Sequence, residues 1–383
     1  MVTVISVNRF IDPYGFYDQP RIFNINKDKP SFEKNIRMTK AFAIKDQKPD
    51  AIILGSSKAE FGFDPEHKYL DKRDVYNLGL PGPNLYEVYR YFQHAHNTRK
   101  QKKVLLFLDF YMFNANLPNK VDFDERMLSI SFNGNQQHTA GNKLALLSSW
   151  HALKGSYETI KLQNSVHYKY LKNGMRERNH MKDRILLEGG HKKIFLKKEK
   201  HLINKFYNDY SFSNKNINSW SIFEKLLSES YESDIDLTII IQPMHARHLS
   251  TISISNNWQK YKHWKKGLIS SNDKVSKKYK KNKFDIWDFA LLNDITMEQV
   301  PSLNDKDKQM RWWWDSHFKA EFGDIIISVI HNYDQKKFIF KKPLGKRIDQ
   351  NNIDYHLKSL DTDLNNWKSK FKNDQDELES LIK

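Results

Sequence analysis

Ala51-Ile52-Ile53-Leu54-Gly55-Ser56-Ser57-Lys58 is a short apolar run that stops on glycine and is followed at once by two serines. Such a run, closed by a turn signal, reads as a buried strand. In an open α/β sheet the residue just past that strand stands on the ligand-binding edge. Ser57 therefore occupies a position where a nucleophile is useful. The plainer alternative is that Gly-Ser-Ser serves only as a turn and helix cap, because serine is favoured at both.

Outward from this stretch, residues 75–80 repeat the pattern and end in Pro81-Gly82-Pro83-Asn84. An amphipathic helix over 85–97 follows. Residues 104–110 then form a third strand, apolar nearly throughout, as burial on both faces of a parallel sheet requires. Strand, helix, strand at this spacing is a βαβ unit. The pattern resumes with a helix at 219–230, a strand at 235–241 ending on Gln242-Pro243-Met244-His245, a basic helix over 258–281 and a fifth strand at 284–290. The expected fold class is α/β, a three-layer doubly wound parallel sheet of about five strands, with a helical insertion and a C-terminal helix.

Around that sheet the chain divides further. Residues 1–30 read as an irregular surface arm whose clearest turn is Asp12-Pro13-Tyr14-Gly15. Residues 31–127 and 206–333 form the two halves of the α/β domain. Residues 128–205, rich in Asn, His and Lys and without strand signals, read as a mainly helical insertion or lid outside the sheet. In the tail, 334–383, Leu357, Leu360, Leu364, Trp367, Phe371, Leu378 and Leu381 make a heptad stripe. It is either packed on its own domain or an oligomer contact.

Composition narrows the function classes. The 383 residues hold 24 Phe, 18 Tyr and 9 Trp, enough aromatic material for a sizeable core and for sugar or partner surfaces. Lys and Arg outnumber Asp and Glu by 63 to 46, a net charge of +17 that favours polyanions by steering. That excess is dispersed, and no zinc-knuckle spacing or aromatic RNA-binding signature accompanies it, so specific nucleic-acid readout is not expected. Solvated basic faces, an acidic polysaccharide or anionic lipid account for it instead. The absence of cysteine removes disulfides, thiolate metal sites and cysteine nucleophiles together. No run of 18 apolar residues is present, and the stretch from Met1 to Val7 is too short for a signal peptide and lacks its basic flank. As written, the chain reads as soluble.

Trp312-Trp313-Trp314-Asp315-Ser316-His317 precedes apolar positions Phe318, Phe322, Ile325, Ile326, Val329 and Ile330 at helical spacing, which puts the triplet at a helix N-terminus. Asp or Ser there is an ordinary cap. A serine nucleophile, however, needs a base, and that base needs a carboxylate to hold its tautomer. Ser57, His317 and Asp315 supply the three types, and strand ends of one parallel sheet open on a shared edge. Gly79, at the end of the second strand, offers a backbone N–H that would form an oxyanion hole with that of Ser57. His245 follows the fourth strand and either touches substrate or is a surface histidine; Arg247 and His248 have the same status. Asp109, ending a buried strand, is a structural hydrogen-bonder or a site residue.

Together these residues resemble the SGNH (GDSL-type) hydrolase superfamily, and more closely its cell-surface polysaccharide branch, which includes alginate acetyltransferases and the D-alanyl transfer protein of teichoic acids. Gly55-Ser56-Ser57 matches the first block with Ser56 in place of the usual Asp, and Gly79 matches the second-block glycine. Asp315 and His317 match the last block in the shorter Asp-x-His form of the acetyltransferase branch. The third block, Gly-x-Asn-Asp, is absent, and Asn114 stands in as the oxyanion side chain. The resemblance covers 51–115 and 235–330. It implies a flavodoxin-like SGNH fold and a serine-dependent O-acyl esterase or O-acyltransferase acting on a carbohydrate, a cell-surface polysaccharide, with no cofactor and no metal. It further implies an extracytoplasmic, cell-envelope setting with a membrane-bound acyl-transfer partner, where relatives place a spanning helix just before the domain. Two other classes compete: a catalytically silent carbohydrate-binding or assembly protein of the same fold, and, last, a basic nucleic-acid binder.

Overall fold

In the computed structural model, which describes residues 2–17, 20–70, 74–136, 143–164, 170–177, 180–331 and 342–382, six strands form one sheet. They are β1 (Ala51–Ser56), β2 (Val75–Leu80), β3 (Lys103–Leu108), β4 (Asp236–Ile241), β5 (Asp285–Asp288) and β6 (Lys346–Arg347). Their order is β2-β1-β3-β4-β5-β6, parallel throughout except for β6, which runs antiparallel to β5. The order reverses beside β1, and the crevice outside the carboxyl ends there is where open α/β sheets take ligands.

Alternation along the strands explains why both faces are covered. Ile52, Leu54, Val104, Leu106, Leu237 and Ile239 pack on one side with Val88 and Phe92 of the helix Leu85–Thr98 and with Leu226 and Trp264 of the helices Ser219–Glu232 and Trp258–Tyr279. Ile53, Leu105, Phe107 and Ile240 pack on the other with Phe322 and Ile326 of the helix Ala320–Ile330. Strands buried on both sides read as continuous apolar runs, which is how four of them were legible. β6 was not expected: two residues, Lys and Arg, carry no apolar period to read.

One further expectation changes. The arm is not irregular throughout, because Val2–Ile11 is helical. Its buried Asn8 donates from Nδ2 to the Leu147 carbonyl at 2.7 Å and accepts from Ser156 Oγ at 2.7 Å. Those partners lie in the 128–205 segment, so the helix is ordered by contacts far away in sequence. That segment itself contributes helices, Trp150–Lys161, Met181–Leu187 and His191–His201 among them, and no strand of the sheet among its described residues.

The tail forms the helices Ile353–Lys370 and Lys372–Glu379. Leu357, Leu360, Leu364, Trp367 and Leu378 are buried in the main core, so the heptad stripe is consumed inside the domain rather than left as a coiled-coil seam. Polar ties hold it there: His356 Nε2 lies 2.7 Å from buried Asp288 Oδ2, and Asp361 accepts from Trp258 Nε1 at 2.6 Å. Residues 334–341 of the tail lie outside the described residues. Among those described, no helix is long and apolar enough to cross a membrane.

Candidate active site

β1 passes directly into the helix Ser57–Gly62, whose N-cap is Ser56. Ser56 Oγ accepts the Lys58 N–H at 3.1 Å, so of the two serines the first does the capping and the second is free to project. Ser56 also donates to Asp109 Oδ2 at 2.6 Å, while Lys58 Nζ donates to Asp109 Oδ1 at 2.6 Å and Gln242 Nε2 to Asp109 Oδ2 at 2.8 Å. Asp109 is thereby a structural hub that ties the ends of β1, β3 and β4 together beneath Ser57.

The helix carrying Ser57 meets the helix Ala320–Ile330 through two glycines. A Cβ on Gly323 would stand 1.7 Å from the Gly62 carbonyl oxygen, and one on Gly62 would stand 2.1 Å from Phe318. Backbone-to-backbone approach at this point pulls the residues before Ala320 over Ser57. They form a tight turn in which Trp314 N–H donates to the His317 carbonyl at 2.9 Å and Lys319 N–H to the Trp312 carbonyl at 2.8 Å. Trp313 is fully buried and donates from Nε1 to the Ile295 carbonyl at 2.9 Å, anchoring the turn. The helix itself is entered at Lys319 with no side-chain cap, so Asp315 is not its N-cap.

Asp315 instead serves His317. Its Oδ1 accepts the His317 backbone N–H at 2.8 Å and lies 2.5 Å from Nδ1, while Nε2 lies 2.8 Å from Ser57 Oγ. Phe61 packs on the imidazole, ring centroids 4.6 Å apart. Burial pushes the Asp315 carboxyl up, but His317 beside it, Lys198 Nζ at 3.6 Å and its hydrogen bonds outweigh that and hold it far below the usual carboxylate range. His317 is lowered by burial, which exceeds the opposing pull of Asp315. The resting pair is therefore a carboxylate and a neutral imidazole whose Nε2 is available to a serine proton.

The two expected oxyanion partners of Ser57 are not brought to it. Gly79 N–H donates to Asn77 Oδ1 at 3.0 Å inside the sheet edge, and a Cβ there would meet the Glu60 backbone N at 2.8 Å, so this glycine serves close packing under the helix. Asn114 is buried with Nδ2 on the Phe206 carbonyl at 3.1 Å and Oδ1 accepting from Asn116 and Ser211. His245 is not a substrate contact either: Nε2 lies 2.7 Å from the Glu298 carbonyl, and the ring caps the helix Ala246–Ile254 through Nδ1. Its burial lowers it to about 3. Arg247 is buried in ion pairs with Glu199, Asp374 and Glu377 and ties the 128–205 segment to the tail.

A cleft of about 820 Å³ opens over Ser57 and His317. Tyr111, Phe206 and Tyr207 line it, and the 128–205 segment together with Phe206 and Tyr207 beyond it gives it a wall that includes His151, Arg176, Arg184, Lys198 and His201. Lys58, Lys120 and Lys198 with Arg37, Arg176 and Arg184 outnumber the carboxylates of Glu33, Asp109 and Asp122 along it. His248 lines the cleft with its ring stacked on Phe195 at 5.0 Å, neutral because burial and then His245 and Lys58 hold it well below the ordinary value.

Gly82 also lines the cleft, in the loop after β2. Its φ of +53° lies in the left-handed region that favours glycine. The signal for it was present in Pro81-Gly82-Pro83, a turn on the same strand-end edge that singled out Ser57; Lys198 and Tyr111 carried none. Compared with protein-family models, curated proteins and solved structures, the chain matches none.

Proposed function

We propose that this chain is a serine-dependent O-acyl esterase or O-acyltransferase of the SGNH (GDSL-type) kind, acting on an acylated carbohydrate of the cell envelope outside the cytoplasm. The observation that carries the reading is the relay of Ser57, His317 and Asp315, with Oγ to Nε2 at 2.8 Å and Nδ1 to Oδ1 at 2.5 Å, beneath an open cleft. The β2-β1-β3-β4-β5 order of its parallel strands, that of flavodoxin-like sheets, supports the superfamily placement. The aromatic lining of Tyr111, Phe206 and Tyr207 suits a sugar.

Ser57 Oγ attacks the acyl carbonyl and passes its proton to His317 Nε2, and Asp315 holds the imidazolium. The oxyanion rests on the Ser57 N–H and on the N–H of Gly82, which takes the place expected of Gly79. His317 returns the proton to the departing alkoxide, leaving an acyl-serine. Water or a sugar hydroxyl, deprotonated by His317, then attacks that ester; hydrolysis and transfer differ only in this second nucleophile. No step draws on a cofactor. In the envelope, a membrane-bound partner would supply the acyl group for transfer.

A fluorophosphonate probe tests the reading. Wild-type protein should be labelled on Ser57 and should release acetate from acetylated oligosaccharides, and His317→Ala should do neither at a comparable rate. Unlabelled wild-type protein that retains the same oligosaccharides intact would instead mark a silent carbohydrate binder.

A further inference from the structure

The helix Trp150–Lys161 is inside out. Its buried residues are Ala152, Gly155, Ser156 and Thr159, small or polar, whereas Trp150 is 80% exposed and Tyr157 and Ile160 face solvent with it. An ordinary surface helix turns its large apolar side chains inward. The helix Val2–Ile11 packs against it, tied by Asn8 to Leu147 and Ser156, and leaves Val7 and Phe10 exposed. The following turn joins both: Asn26 Nδ2 donates to the Phe10 carbonyl at 3.1 Å, Gln163 Nε2 donates to the Asp28 carbonyl at 2.9 Å, and Phe23 stands out from it. Singly exposed apolar residues need no explanation, but several large ones on three touching elements form a patch, and such patches mark interaction sites.

The charge on this face is one-sided among the described residues. Arg9, Lys27, Lys154 and Lys161 are exposed on the same three elements. Among the described residues of these elements the carboxylates are buried or paired: Asp12 and Asp28 are buried, and Glu158 is ion-paired with Lys34 at 2.6 Å.

We infer that this face docks on the surface of an anionic lipid bilayer. Trp150, Tyr157, Phe10 and Phe23 enter the interfacial layer, where amphipathic rings are favoured, and the four cations meet lipid phosphates. A second copy of the chain fits poorly, because interleaved cations would face cations. His151, adjacent to Trp150, lines the cleft, so docking sets the mouth of the cleft beside the lipid.

Flotation with vesicles tests this independently of any catalysis. The full chain should float with phosphatidylcholine–phosphatidylglycerol vesicles and far less with phosphatidylcholine alone. Arg9→Gln, Lys154→Gln and Lys161→Gln combined should lower the preference for anionic vesicles about a hundredfold. Phe10→Ser, Phe23→Ser and Trp150→Ser combined should abolish flotation; all six positions are exposed, so folding is not at stake. A wild-type chain that stays unbound with anionic vesicles, or a serine variant that floats as well as wild type, overturns the inference. So does a concentration-dependent dimer in light scattering that the serine variant abolishes while vesicles go unbound.

Discussion

His245 follows β4 and His317 follows β5, so the two histidines stand past the ends of neighbouring strands, and both are almost fully buried. Their ring nitrogens have opposite fates. Those of His245 are taken by backbone, the Glu298 carbonyl and the Arg247 N–H. Those of His317 are held by a carboxylate on one side and a serine hydroxyl on the other. Strand-end position and burial therefore do not make a histidine a base. What does is a pair of side-chain partners, one to hold the tautomer and one to surrender a proton.

The largest effects should fall on the loop after β5. His317→Ala and Ser57→Ala should each lower kcat on an acetyl ester by at least about 10⁴-fold, and the double variant should add little, because the two residues act as one unit. Additive losses would break the comparison at its root.

Asp315→Asn comes next. It should cost about 10²- to 10⁴-fold in kcat with the far-UV dichroism unchanged, since the amide holds the wrong tautomer. The helix behind it is entered at Lys319, so no cap is lost. A variant that unfolds would make Asp315 a structural residue like His245.

A third test concerns pH. His317 must be neutral to accept the proton, and its folded value lies below 6.5. Turnover should therefore be full above that value and fall as pH drops through the lowered one. Lys198 contributes to the lowering, so Lys198→Gln should move this acid limb upward by a fraction of a unit. A downward shift in the pH–rate profile would contradict the electrostatic account of the pair.

The smallest effect on turnover should come from the loop after β4. His245→Ala removes a cap and leaves the part-buried Glu298 carbonyl without its ring donor, at a cost of about 1–3 kcal/mol in stability. Below its unfolding transition it should keep turnover within about threefold, a bound far under the losses above. Loss of turnover in a folded His245→Ala protein would erase the distinction.

Both loops looked alike in sequence because the partners that separate them come from elsewhere in the fold. Pro243-Met244-His245 and Asp315-Ser316-His317 each place a histidine beyond a strand, and nothing local announces that Glu298 will sit over one of them and Ser57 under the other. The same limit applies to the expected oxyanion donor Gly79. Gly79 and Gly82 are three residues apart on one strand end, and it is the Asn77 amide, folded back on its own strand, that occupies the first.

By itself the chain determined the five parallel strands, its α/β alternation, the separation of 128–205 from the sheet and the order in which serine, aspartate and histidine arrive. Apolar runs and turn residues are local properties, and a backbone must satisfy them wherever it goes. Only the tertiary structure decided that Ser57 and His317 meet, because that contact depends on two helices closing to backbone distance at Gly62 and Gly323. It also buried the tail's heptad stripe and turned the aromatic side of the helix Trp150–Lys161 outward. These outcomes are set by which surfaces lie opposite one another, and a one-dimensional pattern does not contain them.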